Sequence, residues 1–161
     1  MNQHKVNGIG RRVVLGGFAG LCMMLTSFAA SAKFNLVPTL NFLRDANMLA
    51  SASRQLARAS YYEIGNHHPI TQAALSYRNV VRAFVKKANR YHLFKKDPIT
   101  DQIKIDFEPV RVEFAKLRQA IKTYYQEEGM YRVRRKYDKV IYRYHRLRHS
   151  IDVHIAQAKK P

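Results

Sequence analysis

The sequence predicts an all-α protein, a single up-down four-helix bundle-like domain that follows a cleaved N-terminal signal peptide. Three observations support this prediction. In four long stretches, apolar residues recur at alternating intervals of three and four, which is the spacing of one helix face. Glycine or proline separates these stretches from one another. The connections are short, as in bundles whose neighbouring helices run antiparallel.

Residues 1–32 have the three parts of an export signal peptide. Lys5, Arg11 and Arg12 supply a positive start, residues 13–28 form a short apolar segment, and Ala-Ser-Ala at 30–32 is a small-residue cleavage site. The signal predicts a bacterial protein that is exported to the periplasm or on to the extracellular space. The arginine pair leaves open whether export follows the general or the twin-arginine route. The remaining residues, 33–161, are predicted to form one helical domain.

The first two helices are predicted over about 38–63 and 69–95. Pro38 and Pro69 suit the first turn of a helix, where the missing N–H is not needed. Gly65 lies between the helices and suits the position just after a helix end. Small residues dominate the second half of the first apolar face, which predicts close approach of a neighbouring helix. The two apolar faces comprise Phe42, Ala46, Leu49, Ser53, Leu56 and Ser60, and Ile70, Ala74, Tyr77, Val81, Phe84, Ala88 and Tyr91.

The second pair of helices is predicted over about 108–128 and 130–157. Residues 99–106 are interpreted as a packed connection or a short extra turn, because apolar and polar residues alternate there like a strand without a partner. Pro109 would then mark the first turn of the third helix. Gly129 is predicted to end that helix, since the apolar spacing restarts one residue later. The two apolar faces comprise Val110, Phe114, Leu117, Ile121 and Tyr124, and Met130, Val133, Tyr137, Val140, Tyr144, Leu147 and Ile151.

The charge balance of the predicted domain is strongly basic. Without residues 1–32, 26 Lys and Arg remain against 11 Asp and Glu, a net charge of +15. Residues 130–161 alone contain ten basic and two acidic residues. Such a surplus attracts polyanions and anionic membrane surfaces. The single cysteine, Cys22, leaves with the signal peptide, which excludes disulfides, thiolate nucleophiles and cysteine-based zinc sites from the domain.

Two cationic faces form the candidate binding surface. On the last helix the basic residues project roughly opposite the apolar face, and on the second helix they step by four. Arginine predominates on the last helix, and its guanidinium group pairs phosphate bidentately. Side by side, the two faces would form one cleft for a multiply charged ligand; facing apart, each would be a solvated surface. The predicted anion-binding residues are Arg132, Arg135, Lys136, Lys139, Arg143 and Arg146, with Arg78, Arg82, Lys86 and Arg90 on the second helix.

These faces predict an exported, non-enzymatic binding protein that associates with membranes peripherally rather than as an integral protein. The expected ligand is a phosphorylated lipid headgroup such as a phosphoinositide, an envelope glycolipid or another polyanion, with nucleic acid less favoured. The sequence contains no phosphate loop, nucleophile elbow or haem-attachment motif, so neither an enzyme activity nor a cofactor is predicted. One alternative is a structural or chaperone subunit for an acidic partner protein.

A histidine pair predicts a second alternative, a periplasmic metal-binding bundle. His145 and His149 stand one helical turn apart and could chelate one metal ion. Arg146 occupies the position at which zinc metalloproteases carry a glutamate base, so hydrolytic zinc chemistry would lack its base. The competing interpretation is a pair of surface histidines that form ion pairs with Asp138 and Asp152.

A third histidine, His154, lies between the apolar and basic faces of the last helix. Protonation below about pH 6.5 would allow it to contact an anion. The simpler interpretation is a boundary histidine with a local hydrogen bond.

Overall fold

A computed structural model of the protein describes residues 36–94 and 99–158. In that part of the chain there are four α-helices and no strand: α1 (Leu36–Ile64), α2 (Pro69–Phe94), α3 (Ile99–Thr123) and α4 (Tyr131–Ala158). The predicted all-α class is therefore confirmed. The predicted signal peptide lies outside the described residues. None of the four helices has the length and hydropathy needed to cross a bilayer.

The connection between α1 and α2 and the one between α3 and α4 each contain a glycine with positive φ. Gly65 has φ +87° and Gly129 has φ +80°. A side chain strains the backbone in this region, so glycine is favoured at both positions. The predicted break at Gly65 is confirmed, because α1 ends at Ile64. Gly129 lies in the connection before α4, but it does not end α3, which stops at Thr123.

Side chains satisfy backbone N–H groups at two helix starts, one locally and one from another helix. His68 Nδ1 accepts a hydrogen bond from the Ile70 N–H at 3.2 Å. Glu63, near the end of α1, accepts one from the Val133 N–H in the first turn of α4 at 2.9 Å. A carboxylate is stabilising there because it satisfies an otherwise unpaired donor and faces the positive end of the helix dipole.

The predicted connection over 99–106 is wrong, because α3 already begins at Ile99 and continues through Pro109. Ile103 and Phe107 share the buried face of the helix, whereas Ile105 between them lies on the opposite side and is 63% exposed. Proline removes the hydrogen bond to the carbonyl four residues earlier. Pro109 and Ile105 both lie on the exposed side of α3, where water can replace that bond. The helix ends at Thr123 rather than near 128.

α1 packs against both α2 and α4, and α2 also packs against α3. The Cα atoms of α1 approach those of α4 within 8 Å along much of the helix. Small buried residues on α1 permit this approach, as the sequence predicted. These small residues are Ala46, Ala52, Ser53, Ala57 and Ser60.

Every apolar-face residue whose burial the structure describes is buried, except the partly buried Tyr124. A series of ring contacts links the four helices through this core. Phe42 of α1 meets Phe84 of α2, with ring centroids 6.0 Å apart, and Phe84 meets Phe107 of α3 at 5.4 Å. Tyr144 of α4 stacks on Phe114 of α3 at 3.9 Å. The large rings between α3 and α4 keep the two backbones apart, so the Cα atoms of these helices approach closely over a short stretch only.

The two helices that carry the predicted cationic faces are not neighbours. Within the described residues, α2 and α4 make no close Cα approach, and neither do α1 and α3. Both pairs are therefore diagonal in the arrangement. The cationic faces of α2 and α4 consequently do not combine into one cleft.

Candidate anion-binding surface

Five of the predicted basic residues form a straight row on α4, here called the α4 strip. Their intervals of four, three, four and three residues keep them on one side of the helix. The row spans about 21 Å at the helical rise of 1.5 Å per residue. Three of its members contact side chains of α1, so the row runs along the seam between the two helices. The α4 strip consists of Arg132, Lys136, Lys139, Arg143 and Arg146.

This position corrects the prediction that these side chains project opposite the apolar face of α4. Residues at intervals of three and four can occupy either flank of an apolar face as well as the far side. The flank that faces α1 holds the α4 strip. Its charge is therefore partly compensated by groups on α1.

Carboxylates compensate both ends of the α4 strip. Arg132 Nε lies 3.7 Å from Glu63 Oε1, and Arg146 Nε lies 3.1 Å from Asp45 Oδ1. Arg146 also donates a hydrogen bond to the Tyr142 hydroxyl at 3.2 Å. The Tyr142 hydrogen bond and the Asp45 charge raise the pKa of Arg146 above its ordinary value. Both end arginines thus have partners within the protein.

The centre of the α4 strip keeps its charge available. Lys136 Nζ donates to the neutral amide oxygen of Gln55 at 2.9 Å. Lys139 and Arg143 have no carboxylate within 4.0 Å among the residues that the structure describes. Arg143 lies over the ring of Tyr142, with its guanidinium carbon 5.2 Å from the ring centroid. The centre is therefore the part of the row with unneutralised cations.

A groove with a volume of about 410 Å³ lies beside this centre, between α1 and α4. The α1 wall carries the small residues Ser51 and Ala52, which leave room for a ligand next to the cations. Asp138 is the acidic member of the lining and reduces the local positive charge. The lining residues are Met48, Ser51, Ala52, Gln55, Asp138, Lys139, Tyr142 and Arg143.

The remaining predicted residues lie outside the α4 strip. Arg135 is exposed on α4. On α2, Arg78 donates to the side-chain oxygen of its neighbour Asn79 at 3.2 Å. Arg82, Lys86 and Arg90 are exposed and have no carboxylate within 4.0 Å in the described part of the chain. The α2 face is thus a separate solvated surface.

Asp45 is a part of the site that sequence reasoning missed. Its side chain is nearly inaccessible, with the residue 2% exposed. It accepts a hydrogen bond from the Ser150 hydroxyl at 2.5 Å, and Arg44 Nε lies 3.8 Å away. Its burial could have been predicted from the sequence, because Asp45 stands three residues after Phe42 and four before Leu49 and so belongs to the apolar face of α1. The buried carboxylate fixes Arg146 and Ser150 of α4 against α1.

The two histidines of the metal hypothesis are both exposed on α4. His145 packs near the Tyr144 ring, with ring centroids 5.4 Å apart. In the structure neither His145 nor His149 lies within 4.0 Å of a carboxylate in the described range, so the ion pairs with Asp138 and Asp152 are not formed. Over the same range no group of three or more His, Cys, Asp or Glu is arranged to hold a metal ion.

His154 lies partly buried at the edge of the core. Its ring stacks on Phe42, with centroids 5.8 Å apart and planes 20° apart. Burial disfavours the charged imidazolium and lowers the pKa of His154 below its ordinary value. The neutral form is thus the one that suits the folded state, which works against an anion contact by protonated His154.

His154 binds a proton more readily in the unfolded chain than in the folded protein. The free energy of unfolding is therefore expected to fall as the pH drops below about 6.5. The contribution of His154 is present above that pH and is lost as the pH falls through the folded-state pKa. We expect His154→Gln to remove this part of the pH dependence of urea unfolding. His149→Gln, at an exposed histidine on the same helix, is the matched control. An identical pH profile for His154→Gln and the native protein would contradict the expectation.

Comparison with known proteins gives no match, since no protein-family model fits the chain and no curated protein or solved structure is significantly similar to it.

Proposed function

We propose that the protein is an exported, non-enzymatic binding protein that holds a phosphate-rich anion at the centre of the α4 strip. The ligand class is a phosphorylated lipid headgroup or another phosphate polyanion. The proposal includes removal of residues 1–32 on export and an up-down four-helix bundle for the rest. One observation carries it: a straight row of five cations whose ends have carboxylate partners and whose centre has none.

The proposed mechanism begins with long-range attraction. Without residues 1–32, 26 Lys and Arg remain against 11 Asp and Glu, and this net charge of +15 attracts an anion before contact is made. The compensated ends of the α4 strip then leave the centre as the preferred position for an anionic ligand. Uncompensated cations gain more from an added negative charge than cations that already have a carboxylate partner.

At the centre the residue types suit phosphate. Arg143 can form two parallel hydrogen bonds to phosphate oxygens, while Lys136 and Lys139 act as mobile point charges. The Tyr142 ring under the Arg143 guanidinium restricts the orientation of that side chain. Small residues on the facing wall of α1 allow a headgroup to enter the groove. These contacts need no bond making or breaking, which agrees with a binding role.

We expect Lys139→Ala/Arg143→Ala to weaken binding of inorganic polyphosphate at low salt by at least tenfold. Each cation close to an anionic surface contributes roughly 1 kcal/mol, so the loss of two is a large effect. Binding can be measured by isothermal titration calorimetry. Circular dichroism would verify that the helices are retained.

The matched control is Lys104→Ala/Arg118→Ala, which removes the same charge from exposed positions on α3. We expect this control to weaken binding less than threefold, through the lower net charge alone. If both double variants lose the same affinity for polyphosphate, binding depends on net charge and not on the centre of the α4 strip. Failure of the native protein to bind polyphosphate at low salt would refute the proposal.

A further inference from the structure

One end of the helical domain exposes four tyrosines. This end, here called the tyrosine end, comprises the last turn of α1, the first turn of α4 and the connection that follows α3. Each of the four side chains is more than half exposed, and Tyr61 and Tyr62 meet edge to face with centroids 5.4 Å apart. The residue exposures are 51% for Tyr61, 74% for Tyr62, 51% for Tyr125 and 73% for Tyr131.

Contacts between the elements hold this end together. Glu63 of α1 accepts a hydrogen bond from the Val133 N–H of α4 at 2.9 Å. His68 and Glu127 join the two connections, with His68 Nε2 2.9 Å from Glu127 Oε2. The four tyrosines are therefore carried by a connected framework rather than by independent chain ends.

Arg134 fixes the connection that carries Tyr125. It donates to the backbone carbonyls of Tyr125 and of Glu127, the latter at 2.8 Å. Its guanidinium carbon lies 4.8 Å from the centroid of the Tyr125 ring. The ring is thus positioned by both hydrogen bonds and a cation–π contact.

Exposed basic residues stand within about one helical turn of the tyrosines in the chain. Arg58, Lys122 and Arg135 are exposed near this end, and none lies within 4.0 Å of a carboxylate in the described residues. Of the acidic groups here, Glu63 and Glu127 are engaged in the contacts above, while Glu128 is exposed. The groups left for a partner are tyrosine rings together with a surplus of positive charge.

The geometry points to the tyrosine end as a docking surface for an anionic phospholipid bilayer, with the four rings at headgroup depth and the neighbouring cations on phosphates. Tyrosine suits the membrane–water boundary because its ring is apolar and its hydroxyl remains hydrated. The exposed large apolar side chains Met48, Ile105, Val112 and Tyr142 lie on other parts of the described surface.

A bilayer fits this end better than a protein partner. Tyrosine is common in protein interfaces, but the buried cores of such interfaces are depleted of charged residues. Here several cations that have no carboxylate partner within the described residues stand close to these tyrosines in the chain. Helix ends that project side by side can all contact a flat surface at once. The inference rests on the proposed function, since the α4 strip begins at this end with Arg132, and it specifies a lipid bilayer as the source of the phosphates.

Because the chain contains no tryptophan, a single introduced indole reports its own surroundings. We expect Tyr62→Trp to show a blue-shifted emission and quenching by brominated lipid when vesicles of phosphatidylcholine and phosphatidylglycerol are added. Ile105→Trp, at an exposed position near the start of α3 and away from the tyrosine end, serves as the matched control and should keep its emission. Unchanged emission from the Tyr62→Trp protein with these vesicles would overturn the inference.

Replacing all four tyrosines by serine tests the same surface without a reporter. We expect Tyr61→Ser/Tyr62→Ser/Tyr125→Ser/Tyr131→Ser to weaken vesicle binding about tenfold, because less apolar area enters the interface. Polyphosphate binding should be unchanged, because polyphosphate has no apolar region into which the tyrosine rings could insert. Native affinity of this variant for vesicles would overturn the docking surface.

The two proposals fail in different ways. Polyphosphate binding without vesicle binding overturns the bilayer docking surface and leaves the proposed function intact. Vesicle binding with equal affinity for pure phosphatidylcholine also overturns the inference, because the cations would then play no part. If the native protein does not bind polyphosphate, the proposed function is overturned instead.

Discussion

Raising the salt concentration from about 50 to 200 mM is expected to weaken polyphosphate binding by about 20-fold. A cation that neutralises a phosphate in a linear polyanion releases a condensed counterion, and each release contributes about 0.7 to the slope of log K against log salt for single strands. The centre of the α4 strip offers three cations without a carboxylate partner in the described part of the chain. Three such contacts give a slope of about −2.

Titrations at a series of salt concentrations measure this slope directly. The Lys139→Ala/Arg143→Ala variant should have a slope that is smaller in magnitude by about 1.4, because two releases are lost. The Lys104→Ala/Arg118→Ala control should keep the native slope. A native slope near zero would show that the row makes no phosphate contacts.

Asp45→Ala is expected to lower the free energy of unfolding by about 2 kcal/mol, since a hydrogen bond to an ionised group contributes roughly 1.5–3 kcal/mol. The substitution removes the acceptor of the Ser150 hydroxyl and the carboxylate 3.1 Å from Arg146. It also leaves space in a closely packed seam between α1 and α4. Urea unfolding followed by circular dichroism measures the change.

Asp138→Ala is the matched control, because Asp138 is exposed on α4 and has no ion-pair partner within 4.0 Å in the described range. Its effect on stability should stay within about 0.5 kcal/mol. If Asp45→Ala is as stable as the native protein, the cost of burying the carboxylate cancels its contacts.

The same Asp45→Ala variant has an expected effect on binding of the opposite sign. Without Asp45, Arg146 loses its carboxylate partner and becomes available to a ligand. Polyphosphate should therefore bind the variant a few times more tightly at low salt. Unchanged affinity would show that Arg146 lies beyond the reach of the ligand.

Helix positions and apolar faces could be predicted where they depend on residues that are close together in the sequence. The seven apolar-face residues from Met130 to Ile151 are buried because spacing along one helix decides which side is apolar. Gly65 follows the end of α1 and Gly129 lies in the connection before α4, where positive φ favours glycine. The start of α3 was missed because the alternation of Ile103, Ile105 and Phe107 resembles a strand, although only Ile103 and Phe107 are buried, and because Pro109 is tolerated where its side of the helix is exposed.

The candidate site was predicted as a set of residues but not as an arrangement. The sequence identified the basic residues of α4, yet it assigned them to the side opposite the core. Asp45 escaped notice because its partners, Ser150 and Arg146, are about a hundred residues away in the chain. The tyrosine end escaped notice as well, because its four rings come from three separate segments.

The sequence by itself determined that the protein is helical, where most of its helices lie, which residues form its core and that its charge is strongly positive. These properties depend on composition and on spacing within one helix. Only the tertiary structure decided which helices are neighbours. That choice separates the cationic face of α2 from the α4 strip, supplies Glu63 and Asp45 to the two ends of the row and leaves its centre uncompensated. The physical reason is that a charge is compensated by the groups around it in space, and those groups are set by packing.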